Sequence, residues 1–135
     1  MKQVCIQGLG FVGVAMAIAL ANVKTSKGNP KYFVTGVDLP TEQGLKRIDA
    51  VNSGTLPFNT ADQKMVTAFL AAKKVGNLVA TTDESSYELA DIVIVDLPLD
   101  VALVDNDIQL DMSGFGLAIR TVARKIKPGA LILIE

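Results

Sequence analysis

Three glycines, Gly8, Gly10 and Gly13, follow the apolar run Val4-Cys5-Ile6-Gln7. Their G-x-G-x-x-G spacing suits one kind of chemistry, the cradling of a pyrophosphate by bare backbone. Gly8 would let the chain turn sharply off a strand, Gly10 would remove the side chain that keeps phosphate from the backbone, and Gly13 would let helix and strand pack closely. The turn from Gly8 through Leu9, Gly10, Phe11 and Val12 to Gly13 then offers free N–H groups at a helix N-terminus to an anion. Further along, Tyr32-Phe33-Val34-Thr35-Gly36-Val37 ends in Asp38, followed by Leu39. A carboxylate at that place accepts hydrogen bonds from ribose hydroxyls and repels a 2′-phosphate, so the pattern predicts NAD rather than NADP.

These residues need a frame, and the hydrophobic pattern supplies one. After the first strand, Val12, Ala15, Met16, Ala19 and Leu20 recur with a helical period and predict one buried stripe. The polar segment from Asn22 to Lys31, with Gly28 and Pro30, predicts a mobile surface connection to the second strand. A helix carrying Leu45, Ile48 and Val51 follows Asp38 and stops at Asn52-Ser53-Gly54. Thr60 and Gln63 have capping-box spacing ahead of a helix with Met65, Ala68, Phe69 and Ala72 on its stripe. Leu78-Val79-Ala80 predicts the third strand, Glu84 to Ala90 a short helix, and Ile92-Val93-Ile94-Val95 the fourth strand. That last run is wholly apolar, as a parallel strand covered on both faces should be. Asp111-Met112-Ser113 opens a final helix striped by Phe115, Ala118, Ile119, Val122 and Ile126, which Pro128-Gly129 ends. Ala130 to Glu135 is a last apolar strand. The fold class is therefore α/β, a doubly wound parallel sheet of about five strands ordered 3-2-1-4-5, with residues 1–135 as one domain. A ligand of such a sheet lies beyond the carboxyl ends of the strands, which collects Gly8 to Gly13, Asp38, Leu39, Thr81-Thr82, Leu97-Pro98-Leu99 and Glu135. The Thr82 hydroxyl suits a helix cap as well as a cofactor contact. Asp96 and Asp100 read as solvated loop acids.

Composition excludes several classes. The chain has 135 residues, half of them hydrophobic and 20% charged, with net charge −1. Its mean hydropathy is +0.38. Such a chain builds a core and offers no basic face to nucleic acid and no polybasic patch to a membrane. No apolar run reaches the length of a membrane span, and Met1-Lys2 leads directly into a strand, so a cytoplasmic protein without a signal peptide is expected. One cysteine and no histidine exclude a disulfide framework, a Cys/His zinc site and histidine acid–base chemistry within these residues. Cys5, inside the first strand, reads as a small buried hydrophobe.

Longer stretches carry a family resemblance. Ile6 to Gly13, Gly36-Val37-Asp38, Val51-Asn52-Ser53-Gly54-Thr55-Leu56-Pro57, Ala80-Thr81-Thr82-Asp83, Ala90 to Val95 and Lys127-Pro128-Gly129 together resemble the N-terminal NAD-binding domain of the UDP-glucose/GDP-mannose dehydrogenase family. The resemblance covers essentially the whole chain. It implies NAD-dependent oxidation of a UDP- or GDP-linked sugar alcohol to the uronate in two hydride transfers. It also implies that the cysteine nucleophile, which holds the aldehyde as a thiohemiacetal, and its lysine, asparagine, glutamate and threonine neighbours lie outside this chain. The expectation is a cofactor-binding segment cut after its fifth strand, which binds dinucleotide and turns over nothing alone, as a monomer or a homodimer. Two places depart from the family pattern. Leu97-Pro98-Leu99-Asp100 stands where the family has Val-Pro-Thr-Pro, and Phe58-Asn59-Thr60-Ala61 stands where it has Glu-Pro-Gly-Leu.

Two other classes share the first features. A non-catalytic NAD-responsive sensor would use the same turn and acid without a downstream cysteine. An S-adenosylmethionine-dependent methyltransferase has a glycine-rich first turn and an acid after the second strand, but Gly13 and the later stretches argue against it.

Overall fold

The computed structural model describes residues 1–135, the side chain of Asp100 excepted. In chain order the elements are β1 (Lys2–Gln7), α1 (Phe11–Ala21), β2 (Tyr32–Val37), α2 (Glu42–Ser53), α3 (Gln63–Val75), β3 (Leu78–Thr81), α4 (Ser86–Leu89), β4 (Ile92–Val95), β5 (Asp100–Val104), β6 (Asp107–Asp111), α5 (Ser113–Lys125) and β7 (Leu131–Ile134). Five strands form one parallel sheet in the order β3-β2-β1-β4-β7. This is the expected 3-2-1-4-5 order, with β7 as its fifth strand. β1 sits at the centre and pairs with both β2 and β4, so Ile6 lies between Gly36 and Ile94.

Alternation along β1 sends neighbouring side chains to opposite faces. Val4 and Ile6 join Val14, Ala17 and Ile18 of α1, Ile48 and Val51 of α2 and Phe69 of α3 in one core cluster. Cys5 joins Tyr87, Val93, Val95 and Val122 in the other. Burial pushes the Cys5 thiol up to about 12, which leaves it an inert hydrophobe as expected.

Three local readings change, and one expected connection gains contacts of its own. α1 buries Gly13, Val14, Ala17, Ile18 and Ala21, the face roughly opposite the expected stripe. The helix is apolar nearly all round, so periodicity alone does not select a face; the close approach of Gly13 to β1 does. The N-cap of α3 is Asp62, not Thr60. Its Oδ1 accepts from the N–H groups of Lys64 (2.9 Å) and Met65 (3.2 Å), while Thr60 Oγ1 accepts from Asp62 N–H. A carboxylate at the N-cap also answers the helix dipole, which a hydroxyl does not. The segment from Asn22 to Lys31 is a closed loop, with Lys24 bridged to Pro30 and Thr25 N–H donating to Asn29 O at 2.8 Å. Finally, residues 100–111, where no element is expected, form the antiparallel hairpin β5–β6. Its two-residue turn, Asp105-Asn106, takes positive φ at both positions (52° and 64°), the twist a tight hairpin requires.

The open edge of β3 is partly closed by a side chain. Asn52, at the end of α2, donates to Ala80 O (2.8 Å) and accepts from Ala80 N–H (2.9 Å), pairing as a strand neighbour would. This gives the Asn in the Val51-Asn52-Ser53-Gly54 stretch a structural task. Among the described residues no helix is long and apolar enough to cross a membrane.

Candidate cofactor site

Each glycine of the turn meets a distinct constraint. Gly8 has φ +99°, and a Cβ there would fall on the carbonyl oxygen of Asp96 at the end of β4. A Cβ on Gly13 would fall on Gly8 O, so helix and strand touch through bare backbone. Gly10 differs from both: nothing lies within 4 Å of where its Cβ would be. Its surroundings are open, as the close approach of a phosphate to the backbone would require. Gly10 also caps α1 without a side chain, and the first helical bond runs from Val14 N–H to Gly10 O (3.0 Å). The N–H groups of Phe11, Val12 and Gly13 precede that bond, where a helix start presents donors to an anion. The residues present therefore fit a dinucleotide.

Asp38 is drawn into the same turn. Its Oδ2 accepts from Leu9 N–H (3.2 Å) and its Oδ1 from Leu39 N–H (2.8 Å), so the end of β2 is tied to the glycine turn through one carboxylate. The Arg47 guanidinium lies 3.3 Å from Oδ2, and the Asp38 side chain is only 9% exposed. The Leu9 side chain is buried against Gly36, where a Cβ would collide with it; Leu9 thus contributes backbone to the site and packing to the core. Gly44 plays a matching part, since a Cβ there would fall on Leu39 O where α2 begins.

Around this centre the remaining residues are arranged unevenly. Phe11 and Val12 are exposed, and the Phe11 ring stacks obliquely on Phe58 with centroids 4.7 Å apart and planes at 51°. The Phe58-Asn59-Thr60-Ala61 departure therefore places an aromatic partner beside the turn. Leu39 is exposed at the end of β2. Thr82 is half-buried at the carboxyl end of β3 and makes no cap; Thr81 Oγ1 accepts from Asp83 N–H, and Asp83 accepts from Ser85. Leu97 packs into the second core, whereas Pro98 and Leu99 are exposed. Glu135 is exposed, and its N–H donates to Val95 O (3.1 Å), which puts it at the same edge as Asp96. Asp96 is half-buried rather than solvated, with Oδ2 3.1 Å from the place a Cβ on Gly13 would take. An acid so near the start of α1 is favoured by the helix dipole. The Asp100 side chain lies outside the described residues. Among the described residues no cluster of acids, cysteine or histidine could hold a metal ion.

Sequence reasoning missed Arg47 and Gly44, and quoted Gly36 only within the Gly36-Val37-Asp38 stretch, without its packing task. Neither glycine has a spacing that declares what it packs against, and an arginine nine residues beyond Asp38 declares itself only when α2 folds back over the end of β2.

A sequence model of the UDP-glucose/GDP-mannose dehydrogenase family, NAD binding domain, matches residues 2–135. The chain belongs to this family. It is the family's NAD-binding domain, a Rossmann-type sheet. It is similar to the UDP-N-acetyl-D-mannosamine dehydrogenases of Methanococcus aeolicus, at 31% identity over 134 residues, and Methanocaldococcus jannaschii, at 30%. The match covers 99% of this chain in both cases, but 27% and 28% of those relatives. The chain thus spans little more than a quarter of their length. Among solved structures, an NDP-N-acetyl-D-galactosaminuronic acid dehydrogenase from Methanosarcina mazei superimposes with TM-score 0.84 at 24% identity, over 100% of this chain and 27% of that one. A UDP-D-ManNAc dehydrogenase from Pyrococcus horikoshii gives 0.74 at 26%, over 99% and 28%.

Proposed function

We propose that this domain holds NAD for a dehydrogenase that oxidises the C6 alcohol of a nucleotide sugar to the uronate in two hydride transfers, with substrate and catalytic groups supplied by parts of a longer protein. The observation that carries the reading is the joining of turn and acid: Leu9 N–H on Asp38 Oδ2, beside an unobstructed Gly10. In that arrangement Gly8 to Gly13 hold the pyrophosphate, Asp38 takes the adenosine ribose hydroxyls, and Leu39 and Thr82 flank the adenosine. Leu97, Pro98, Leu99 and Glu135 line the nicotinamide side. Bound NAD supplies the hydride acceptor; the chain's own residues fix its position and select the dinucleotide that carries no 2′-phosphate. The reading places the reaction in the cytoplasm.

The relatives' names favour a UDP-linked N-acetylhexosamine as substrate. The full-length protein, assayed at 340 nm with UDP-N-acetylmannosamine, UDP-glucose and GDP-mannose, is expected to form two NADH per sugar consumed with the first of these. One NADH per sugar would reduce the reaction to aldehyde formation. No NADH with any nucleotide sugar would remove the dehydrogenase reading.

A further inference from the structure

The acid that selects NAD is not alone in its pocket. Asp38 Oδ2 receives both Leu9 N–H and the Arg47 guanidinium, at 3.2 and 3.3 Å. Arg47 is about one-third exposed, and with Gln43, Lys46, Phe58 and Asn59 it lines an open cavity of about 420 Å³ between α2 and the segment following it. Its neighbour Lys46 is turned to Glu42 (2.6 Å) on the exposed face of α2. Arg47 is therefore the cation nearest the ribose-binding acid, and its charge is spent on that acid. An arginine beside this place is the group that accommodates a 2′-phosphate in NADP-binding relatives of the fold. Its planar fork suits a phosphate better than an ammonium does.

We propose that Arg47 is a second determinant of cofactor choice, a 2′-phosphate receptor already in position and silenced by its ion pair with Asp38. The inference rests on the NAD reading above. Discrimination then comes from the pair: the carboxylate repels the phosphate and also withholds the guanidinium from it. Removing the carboxylate should release Arg47 and convert the site toward NADP without any new positive charge.

The test is a set of NADH and NADPH titrations, followed by nicotinamide fluorescence, on the full-length protein. Wild type, Asp38→Ser, Arg47→Met and the double variant are compared, with Asp38→Asn in parallel because its amide oxygen keeps an acceptor for the backbone N–H groups. Wild type should prefer NADH. Each Asp38 variant should lose about tenfold or more in NADH affinity and gain a comparable factor for NADPH, the scale of one charge-assisted contact. Arg47→Met added to Asp38→Ser should abolish the NADPH gain. The proposal is overturned if neither Asp38 variant gains NADPH affinity while both keep the wild-type circular dichroism, or if the double variant keeps the gain. Wild type that binds neither dinucleotide would overturn the NAD reading itself, a pattern distinct from loss of the Arg47 effect alone.

Discussion

The two sides of β1 are built to different standards. On the side of β2 and β3, three helices cover the sheet, Phe69 and Ile6 are essentially inaccessible, and Asn52 closes part of the β3 edge. Asn77, almost wholly buried, donates to both Ala21 O and Tyr32 O and so ties the end of α1 to the start of β2. On the side of β4 and β7, β4 itself is buried, with Val93 and Val95 inaccessible, but the apolar residues beyond it are left outside. Leu131 and Ile134 of the edge strand are exposed, and on the hairpin Leu103 and Ile108 are each 75% exposed. Val101 pairs with Leu110 and Leu103 with Ile108, so the four share one face of the hairpin and leave it uncovered. The side where the glycine turn meets Asp38 buries its apolar side chains under helices. The outer edge beyond β4 leaves many of its own exposed.

This contrast puts the largest effects on the closed side. Phe69→Ala should lower unfolding free energy by about 3–5 kcal/mol, the cost of emptying a large aromatic site, as read by urea denaturation. A loss under 1 kcal/mol would mean that the β2–β3 side is not the tightly packed one.

A smaller, pH-dependent effect marks the boundary between the sides. Asp91 accepts from Gln3 N–H (2.8 Å) at the start of β1 and from Lys127 Nζ (2.6 Å) ahead of β7. The Lys127 hydrogen bond, helped by the Gln3 N–H, holds the Asp91 carboxyl below its ordinary 3.8. A depressed pKa contributes stability above the unfolded value that disappears as pH falls through the folded one. Thermal melts of wild type and Asp91→Asn should therefore differ at pH 6 and converge as pH falls well below the ordinary carboxyl range; a difference that persists in acid would assign the effect to packing instead.

The smallest effect is expected on the hairpin. Leu103→Ser should change stability by no more than about 0.5 kcal/mol, since the side chain it removes buries little. A loss above 1.5 kcal/mol would show that the hairpin face is covered in solution, and would erase the contrast.

The same division governs how much could be read from the sequence. Gly8 and Gly13 act through their own backbone, so spacing alone disclosed the sharp turn and the close helix–strand contact, and strand order followed from alternation of strands with helices. Asp38 was legible because it ends a recognisable strand. Arg47 was not, since its meeting with Asp38 depends on how α2 lies across the sheet. The hairpin escaped because Val101-Ala102-Leu103-Val104 reads as a continuation of a loop until Asp105-Asn106 is seen to turn it back. The face of α1 escaped because a helix apolar on all sides hides its own orientation.

The central claim is that turn and acid together hold NAD, and titration calorimetry on this protein tests it most directly. Wild type should bind NAD at one site per chain, and Asp38→Ala should weaken that binding by about 1 to 2 kcal/mol, the scale of a lost charge-assisted hydrogen bond. Tighter binding of NADP than NAD by the wild type, or NAD affinity unchanged in Asp38→Ala, would contradict the account.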